Sequence, residues 1–326
     1  MLRTIIILLS ALFVNNAFSQ NLPQGVITKI AFGSCNFQWS KQRMWNSIME
    51  NKPQLWIWLG DNIYAETYNM DEMERMYNRQ KENKNYQKFL SFCPAIGTWD
   101  DHDFGNNDIG KNYSEKKASQ QLHLDFFNVS KSSPRRKQEG VYTSYDFGEG
   151  EKTIKIILLD TRYFRDDPGP ESDMLGEAQW NWLETTLYSN KAALTIIGTS
   201  VQFAAAKNGF EGWLNFPVSY HRLKKIIKQS GNKHVFFISG DRHLSEISET
   251  SEDLSYPLYE FTSSGLTHSN FMMKNYENAN RIGPLCVSQN FGLIEIDWEK
   301  KNINLESRGK GNYLYFKYVI SFKELE

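Results

Sequence analysis

Cysteine is scarce in this 326-residue chain: there are three, too few for a disulfide scaffold. Proline is sparse as well, with nine, and no Pro/Ser-rich stretch, internal repeat or compositional shift marks a linker. Neither sign of charge dominates. Lys and Arg number 37 against 38 Asp and Glu, a net charge of −1. That leaves no electrostatic footprint for nucleic acid or an anionic membrane surface. No apolar run reaches the roughly 20 residues of a spanning helix. G-x-S-x-G, G-x-x-x-x-G-K-[ST], H-E-x-x-H and C-x-x-C are all missing. Nucleophilic serine chemistry, P-loop chemistry and the zincin helix therefore have no support, and only Cys35 remains arguable as a nucleophile.

What is present is a globular composition, 40% hydrophobic and 14% aromatic, with nine Trp and 16 Tyr. This excludes disorder and predicts a packed interior with aromatic side chains to spare for a ligand-facing surface. Residues 1–19 read as a secretory signal peptide. Arg3 precedes the apolar run of residues 5–14, and Ala17 and Ser19 occupy the −3 and −1 positions of a cut after Ser19. A buried helix or a membrane anchor is the alternative reading, although the run is only about ten residues long. Residues 20–326 then form one exported domain, periplasmic or extracellular. In an oxidising compartment an odd number of cysteines leaves at least one unpaired. Cys93 and Cys286 lie in apolar surroundings, as inert core residues or as a pair.

Residues 26–32 alternate and are β-branched, which predicts a first strand. Residues 55–59 (LWIWL), 95–99, 154–159, 194–197 and 234–238 are continuous apolar runs, the pattern of strands buried on both faces. Met70, Met73, Met76 and Tyr77 fall on one helix face, as do Trp180, Leu183 and Leu187; both stripes read as core. Residues 114–127 and 219–228 predict two more amphipathic helices. Alternating strand and helix indicates an α/β layered fold. Residues 291–298, 303–307 and 313–322 look like closing antiparallel strands. Loops are expected at 130–139, whose Arg135-Arg136-Lys137 reads as solvated, and at 166–174.

Ligands of open α/β sheets bind outside the carboxyl ends of strands, and here those ends are chemically loaded. The first strand ends at Cys35, the second at Asp61-Asn62-Ile63-Tyr64, the third at Asp100-Asp101-His102-Asp103, the fourth at Asp160-Thr161-Arg162, the fifth at Gln202 and the sixth at Asp241-Arg242-His243. A single Asp after a Gly is ordinarily a helix cap or a turn. Carboxylates, a thiol, a phenol and imidazoles gathered from six strand ends instead demand cations to hold them together, and oxygen-rich ligands favour Ca, Mn, Mg or Fe over a pure zinc site.

The ordered set Gly33-Ser34-Cys35, Gly60-Asp61-Asn62-Ile63-Tyr64, Trp99-Asp100-Asp101-His102-Asp103, Leu159-Asp160-Thr161-Arg162 and Gly240-Asp241-Arg242-His243 resembles the alkaline phosphatase D family of calcineurin-like metallophosphoesterases. The resemblance runs from about residue 29 to the closing strands. It implies a four-layer αββα sandwich with two central mixed sheets and a two-centre site of Fe³⁺ and Ca²⁺, with Mn, Mg or Zn as substitutes. Carried over by position, Cys35, Asp61, Tyr64 and His243 hold the iron. Asp61 bridges to calcium, which also takes Asp101 and Asp241. His102 faces the phosphate, and Arg162 resembles the family's phosphate-contacting arginine. Asp100, Asn106 and Asn107 are candidates for a second calcium, and Gln202 for a contact to calcium or its water. The third motif ends in Asp103 where the family commonly has Glu, and Arg242 stands where a small residue is frequent. If all ionise, Cys35, Asp61, Tyr64, Asp101 and Asp241 balance the charge of Fe³⁺ plus Ca²⁺; a free phenol titrates near 10, so phenolate ligation needs a strongly polarising ion.

The activity implied is hydrolysis of a small phosphomonoester or phosphodiester by water activated at the two ions, with His102 as general acid and Arg162 and Arg242 gripping phosphoryl oxygens. Alternative roles are an ion pair for Arg162 and a ligand orienter for His102. His123, His221 and His234 read as structural, and His268 as a pocket wall. A phosphodiesterase or phospholipase preference is equally compatible, set by loops such as 130–139 and 203–218 with Phe210, Trp213 and Phe216. A glycoside hydrolase using paired acids, or a calcium-stabilised binding protein, are the rival classes; oligomeric state is not written in the residues.

Overall fold

The computed structural model describes residues 22–206 and 209–326; the leader read at residues 1–19 lies outside them. In chain order the elements are β1 (Lys29–Gly33), α1 (Met44–Glu50), β2 (Leu55–Leu59), α2 (Met70–Lys81), α3 (Lys84–Leu90), β3 (Ala95–Thr98), α4 (Asp101–Phe104) and α5 (Lys116–Phe126). Then come β4 (Thr143–Glu149), β5 (Lys152–Leu158), α6 (Gly176–Tyr188), β6 (Leu194–Thr199), α7 (Pro217–Ser230), β7 (Val235–Ser239), β8 (Ser245–Thr250) and β9 (Leu258–Ser263). β10 (Phe291–Asp297), β11 (Asn302–Arg308) and β12 (Leu314–Ser321) close the chain.

The strands form two six-stranded sheets, ordered β12-β11-β10-β1-β2-β3 and β4-β5-β6-β7-β9-β8. Both are mixed. β1, β2 and β3 run parallel while β10 to β12 pair antiparallel. In the second sheet β5, β6, β7 and β9 are parallel, with antiparallel β4 and β8 at the edges.

The apolar runs explain the layering. In β2, Leu55, Ile57 and Leu59 point into the core between the sheets, while Trp56 and Trp58 point outwards to Trp45, Tyr86 and Phe89 on α1 and α3. In β5, Ile154, Ile156 and Leu158 enter the inter-sheet core and Ile157 meets α6 and α7 through Trp180, Leu183, Leu223 and Ile227. A strand that serves two apolar interfaces has no polar face, hence the continuous run. The four-layer sandwich with two mixed sheets is what the structure has. The stripe on α2 buries Met73 and Tyr77, as expected of core, behind an Asn69 cap that accepts from the N–H groups of Asp71 and Glu72. None of the three cysteines is in a disulfide; Cys93 packs beneath the first sheet and Cys286 between the sheets, so the pair contemplated from composition does not form. Among the described residues no helix is long and apolar enough to cross a membrane.

Candidate metal centre

The loops that follow β1, β2, β3, β5 and β7 meet at one rim, and the backbone there is forced into unusual shapes. Cys35, Asp61, Asp241 and His243 all adopt positive φ (58°, 48°, 65° and 54°). Non-glycine residues enter this region at a cost, and such strain clusters at functional sites. Gly60, φ 92°, lets β2 pass so close to β3 that a Cβ there would lie 2.4 Å from the Asp100 Cβ. Asp103 clamps the two strand ends together by accepting the N–H groups of Asp61, Asn62 and Asp100 at 3.2, 3.2 and 2.7 Å.

These turns bring four expected ligands into contact. Asp61 Oδ2 lies 3.4 Å from Cys35 Sγ and 3.1 Å from the Tyr64 hydroxyl, which is 3.2 Å from His243 Nε2. One ligand atom from each of Cys35, Asp61 and His243 falls within a 4.8 Å sphere, and so does one from each of Asp61, Asp101 and His102. Asp241 approaches through its backbone carbonyl, 3.6 Å from Cys35 Sγ, while its carboxylate belongs to neither triplet. Asp61 is common to both triplets, the position of a bridging carboxylate.

The electrostatics are those of a site built for cations. Burial, then Asp101 and Asp100, push Asp61 well above the usual carboxylate range. Burial raises Asp241 well above it too, against the pull of Arg242. Burial and then Asp61 raise the Cys35 thiol and the Tyr64 phenol. His243 is pushed down to about 4, chiefly by burial, so its imidazole is neutral and free to ligate at pH 7. Buried polar oxygens are almost always satisfied, yet Asp61 Oδ1, Asp101 Oδ1 and Asp241 Oδ2 are buried without a hydrogen-bond partner. Soft sulfur, phenol and imidazole on one side of Asp61 and bare carboxylate oxygens on the other fit two unlike cations, and a bound cation reverses every one of these upward shifts.

A family model described as PhoD-like phosphatase matches residues 30–306. The chain belongs to this family. Among curated proteins it is 23% identical over 305 residues to alkaline phosphatase D of Bacillus subtilis (strain 168), covering 77% of this chain and 50% of that protein; it spans about half the length of that relative. The solved structure of PhoD superposes with a TM-score of 0.75 at 18% identity, covering 92% of this chain and 69% of that one. GAP50, the anchor in the inner membrane complex of Plasmodium, gives 0.61 at 14% identity, over 91% of this chain and 89% of that one. A dimetal phosphatase from Danio rerio gives 0.56 at 12% identity, over 91% and 99%. At these identities the structural likeness speaks to the fold alone.

The rest of the PhoD-like rim departs from its sequence reading in places. Arg162 is fully buried and does not reach outwards. Its Nε donates to Asp100 Oδ1 at 2.5 Å and its Nη1 to Glu211 Oε1 at 3.0 Å, with Nη2 bound to Glu211 Oε2. This is the ion-pair alternative rather than a grip on phosphate. Gln202 points away from the aspartates and donates to Glu246 and Thr262 at 2.8 and 2.9 Å. Asn107 donates to Asp108 at 2.9 Å. His102 stacks its ring on Tyr64, centroids 4.3 Å apart, with Nδ1 2.7 Å from Glu66 Oε1. His268 lies against Tyr64 and His243, with ring centroids 5.1 and 4.5 Å apart. Arg242 is sandwiched over Phe210 (3.9 Å) and Tyr276 (5.4 Å), with its Nη1 3.9 Å from Asp241 Oδ2. His123 is buried against Trp99 and Phe127 and held neutral mainly by burial, while His234 Nδ1 bonds Ala193 O at 2.8 Å; both are structural.

Two carboxylates escaped the sequence reading. Asp108 and Glu211 each bring an oxygen within 4.8 Å of Asp101, and Glu211 also binds Arg165. The one signal for Glu211 was its place between Phe210 and Trp213 in a loop already singled out for shaping the pocket; nothing local marked Asp108.

Proposed function

We propose that the protein is an exported, metal-dependent phosphoesterase that hydrolyses phosphate monoesters and/or diesters, with a leader at residues 1–19 and one catalytic domain at 20–326. The observation that carries this reading is the convergence of Cys35, Asp61, Tyr64 and His243 beside Asp101 and Asp241 with three buried carboxylate oxygens left bare. The fold alone does not carry it, since GAP50, an anchor, shares that fold.

Cys35, Asp61, Tyr64 and His243 are the residues for Fe³⁺, and Asp61, Asp101 and Asp241 those for Ca²⁺. Two such cations, when bound, supply Lewis acidity to the phosphoryl oxygens and lower the pKa of water. The chain's own groups do the rest. His102, oriented by Glu66, protonates the leaving oxygen. Arg242, held over Phe210 and Tyr276 beside Asp241, is the guanidinium for the non-bridging oxygens. Arg162 is a positioning residue that keeps Asp100 and Glu211 in place. Cys35 is fully buried, so it is a ligand rather than an attacking group, and solvent oxygen enters phosphate in one step.

Metal analysis combined with turnover of p-nitrophenyl phosphate and bis-p-nitrophenyl phosphate, before and after chelation, tests the reading. Bound iron and calcium with chelator-sensitive turnover are expected. Activity that survives exhaustive metal removal would refute it, and so would a metal that raises the melting temperature while neither ester is cleaved. A chiral thiophosphate ester should react with inversion at phosphorus; retention would mean a protein–phosphate intermediate and overturn direct attack.

A further inference from the structure

Beside the metal centre lies a second cleft that the proposed chemistry does not use, and strand directions fix its side. β1 runs towards the centre, β10 is antiparallel to β1, β11 to β10 and β12 to β11. The β11–β12 turn with Lys310 therefore emerges at the same rim as Cys35. A cleft of about 270 Å³ opens there, walled by Ser40, Lys41, Arg43, Thr267, Gln289 and Lys310. Thr267 is the partition: its N–H donates to Cys35 O at 3.3 Å and its Oγ1 accepts from Phe37 N at 2.7 Å. The next residue, His268, packs on His243 with centroids 4.5 Å apart.

The charge of this cleft is uncompensated. Lys41, Arg43 and Lys310 are exposed, no acidic side chain lines the cleft, and among the described residues none of the three forms an ion pair. The larger cleft at the other end of β1, about 450 Å³, shows the contrast, for there Lys29 pairs with Glu295 and Lys152 with Glu299, each at 2.5 Å. The turn that carries Lys310 is also fixed. Gly311 N donates to Ser47 Oγ at 2.9 Å and Asn51 Nδ2 to Asn312 Oδ1 at 2.8 Å, which fastens it to α1. Three unpaired cations around a concave spot with a rigid wall form an anion seat, and it adjoins a centre that acts on phosphate.

We infer that this cleft is a subsite for a second phosphate group of the same substrate molecule, carried several bonds from the ester that is cleaved. The inference rests on the phosphoesterase reading for the point of cleavage and deepens it by naming the substrate class: molecules with at least two phosphates.

Two chromogenic diesters that differ by one remote phosphate test it: thymidine 5′-(p-nitrophenyl phosphate) with and without a 3′-phosphate. The 3′-phosphorylated ester should have a KM about tenfold lower, the size that a few partly exposed charge contacts give. Lys41→Ala/Arg43→Ala/Lys310→Ala should erase that advantage, leave kcat for both esters and turnover of bis-p-nitrophenyl phosphate unchanged, and be rescued by Lys41→Arg/Arg43→Lys/Lys310→Arg. Equal KM values in the native protein, or an advantage that survives in the triple variant, would overturn the inference. Sulfate separates a substrate subsite from a site for free anion: competition against the 3′-phosphorylated ester supports the subsite, and non-competitive inhibition abolished in the triple variant overturns it. If no ester is cleaved, the phosphoesterase reading fails on its own. Titration with thymidine 3′,5′-bisphosphate against thymidine 5′-monophosphate then decides the cleft: a preference lost in the triple variant upholds an anion seat, and equal binding removes it.

Discussion

Two groups of aspartates sit at the carboxyl ends of neighbouring strands, and they are treated in opposite ways. Asp160 is saturated by the chain itself. Its oxygens accept from Trp99 Nε1 at 2.8 Å and from the N–H groups of Val141, Arg162 and Tyr163 at 2.8, 2.9 and 2.9 Å. Asp103 is likewise filled by Asp61, Asn62 and Asp100. Asp61, Asp101 and Asp241 each keep a buried oxygen without a hydrogen bond instead, those of Asp101 and Asp241 with an arginine nitrogen at 3.8 and 3.9 Å. The first group holds loops in shape, and the second is left with acceptor capacity the chain's hydrogen bonds do not fill. Identical side chains a few residues apart thus divide by how many backbone N–H groups point at them, and adjacent positions such as Asp101 and Asp103 take different roles.

Substitution should separate the two groups, with the largest effect at the bare set. Asp61→Asn or Asp241→Asn removes a charge the cations need while conserving shape. Turnover should fall by at least about 10³-fold, the several kcal/mol that metal-ion charge stabilisation provides, with metal content lost and the metal-free melting temperature unchanged or raised. A loss of fold comparable to the loss of activity would break the distinction. At the saturated set the outcome is inverted. Asp160→Ala leaves its buried donors unpaired and should destabilise by about 3 kcal/mol, measured by urea unfolding, with metal still bound by the folded fraction.

A pH response follows from two buried aspartates at the same rim. In the metal-free protein, burial pushes Asp100 and Asp103 up to about 7. A raised folded-state pKa contributes stability that is complete below the unfolded value, about 3.9, and that is lost as pH climbs through the folded one. The melting temperature of the chelated protein should therefore fall from about pH 4 to about pH 7, and the metal-loaded protein should lose less, since cations favour the ionised carboxylates. A chelated protein whose melting temperature rises over that window would contradict the assignment. The smallest effect is expected at Tyr64. With iron bound the protein should be coloured by thiolate or phenolate charge transfer, and Tyr64→Phe should alter the visible band while slowing turnover less than Asp61→Asn does. An unchanged band would remove the phenol from the centre.

The layers were legible because strands such as β2, β5, β6 and β7 bury both faces and so leave continuous apolar runs. β4, β8 and β9 were not, since their sequences carry acidic and hydroxyl residues that only tertiary contacts render buriable. Glu260 in β9 accepts the N–H groups of Phe203 and Ala204 at 2.7 and 2.8 Å from a loop far off in sequence, and Glu246 in β8 is met by Gln202, Asn278 and Arg281. The candidate ligands were legible because each follows a strand with its own short motif. The partners of Arg162 were not: Glu211 lies 49 residues further on in a loop without periodicity, so local pattern gave the arginine but not what it holds.

The left-handed turns at Cys35, Asp61, Asp241 and His243 have a consequence for evolution and engineering alike. Because the backbone sets the direction of those side chains, their mutual geometry is inherited from the corners of the sheets and not from rotamers alone. Grafting the six side chains onto another α/β scaffold would transplant the donors without their bearings. Moving the four corners, glycine neighbours included, would carry the centre with them.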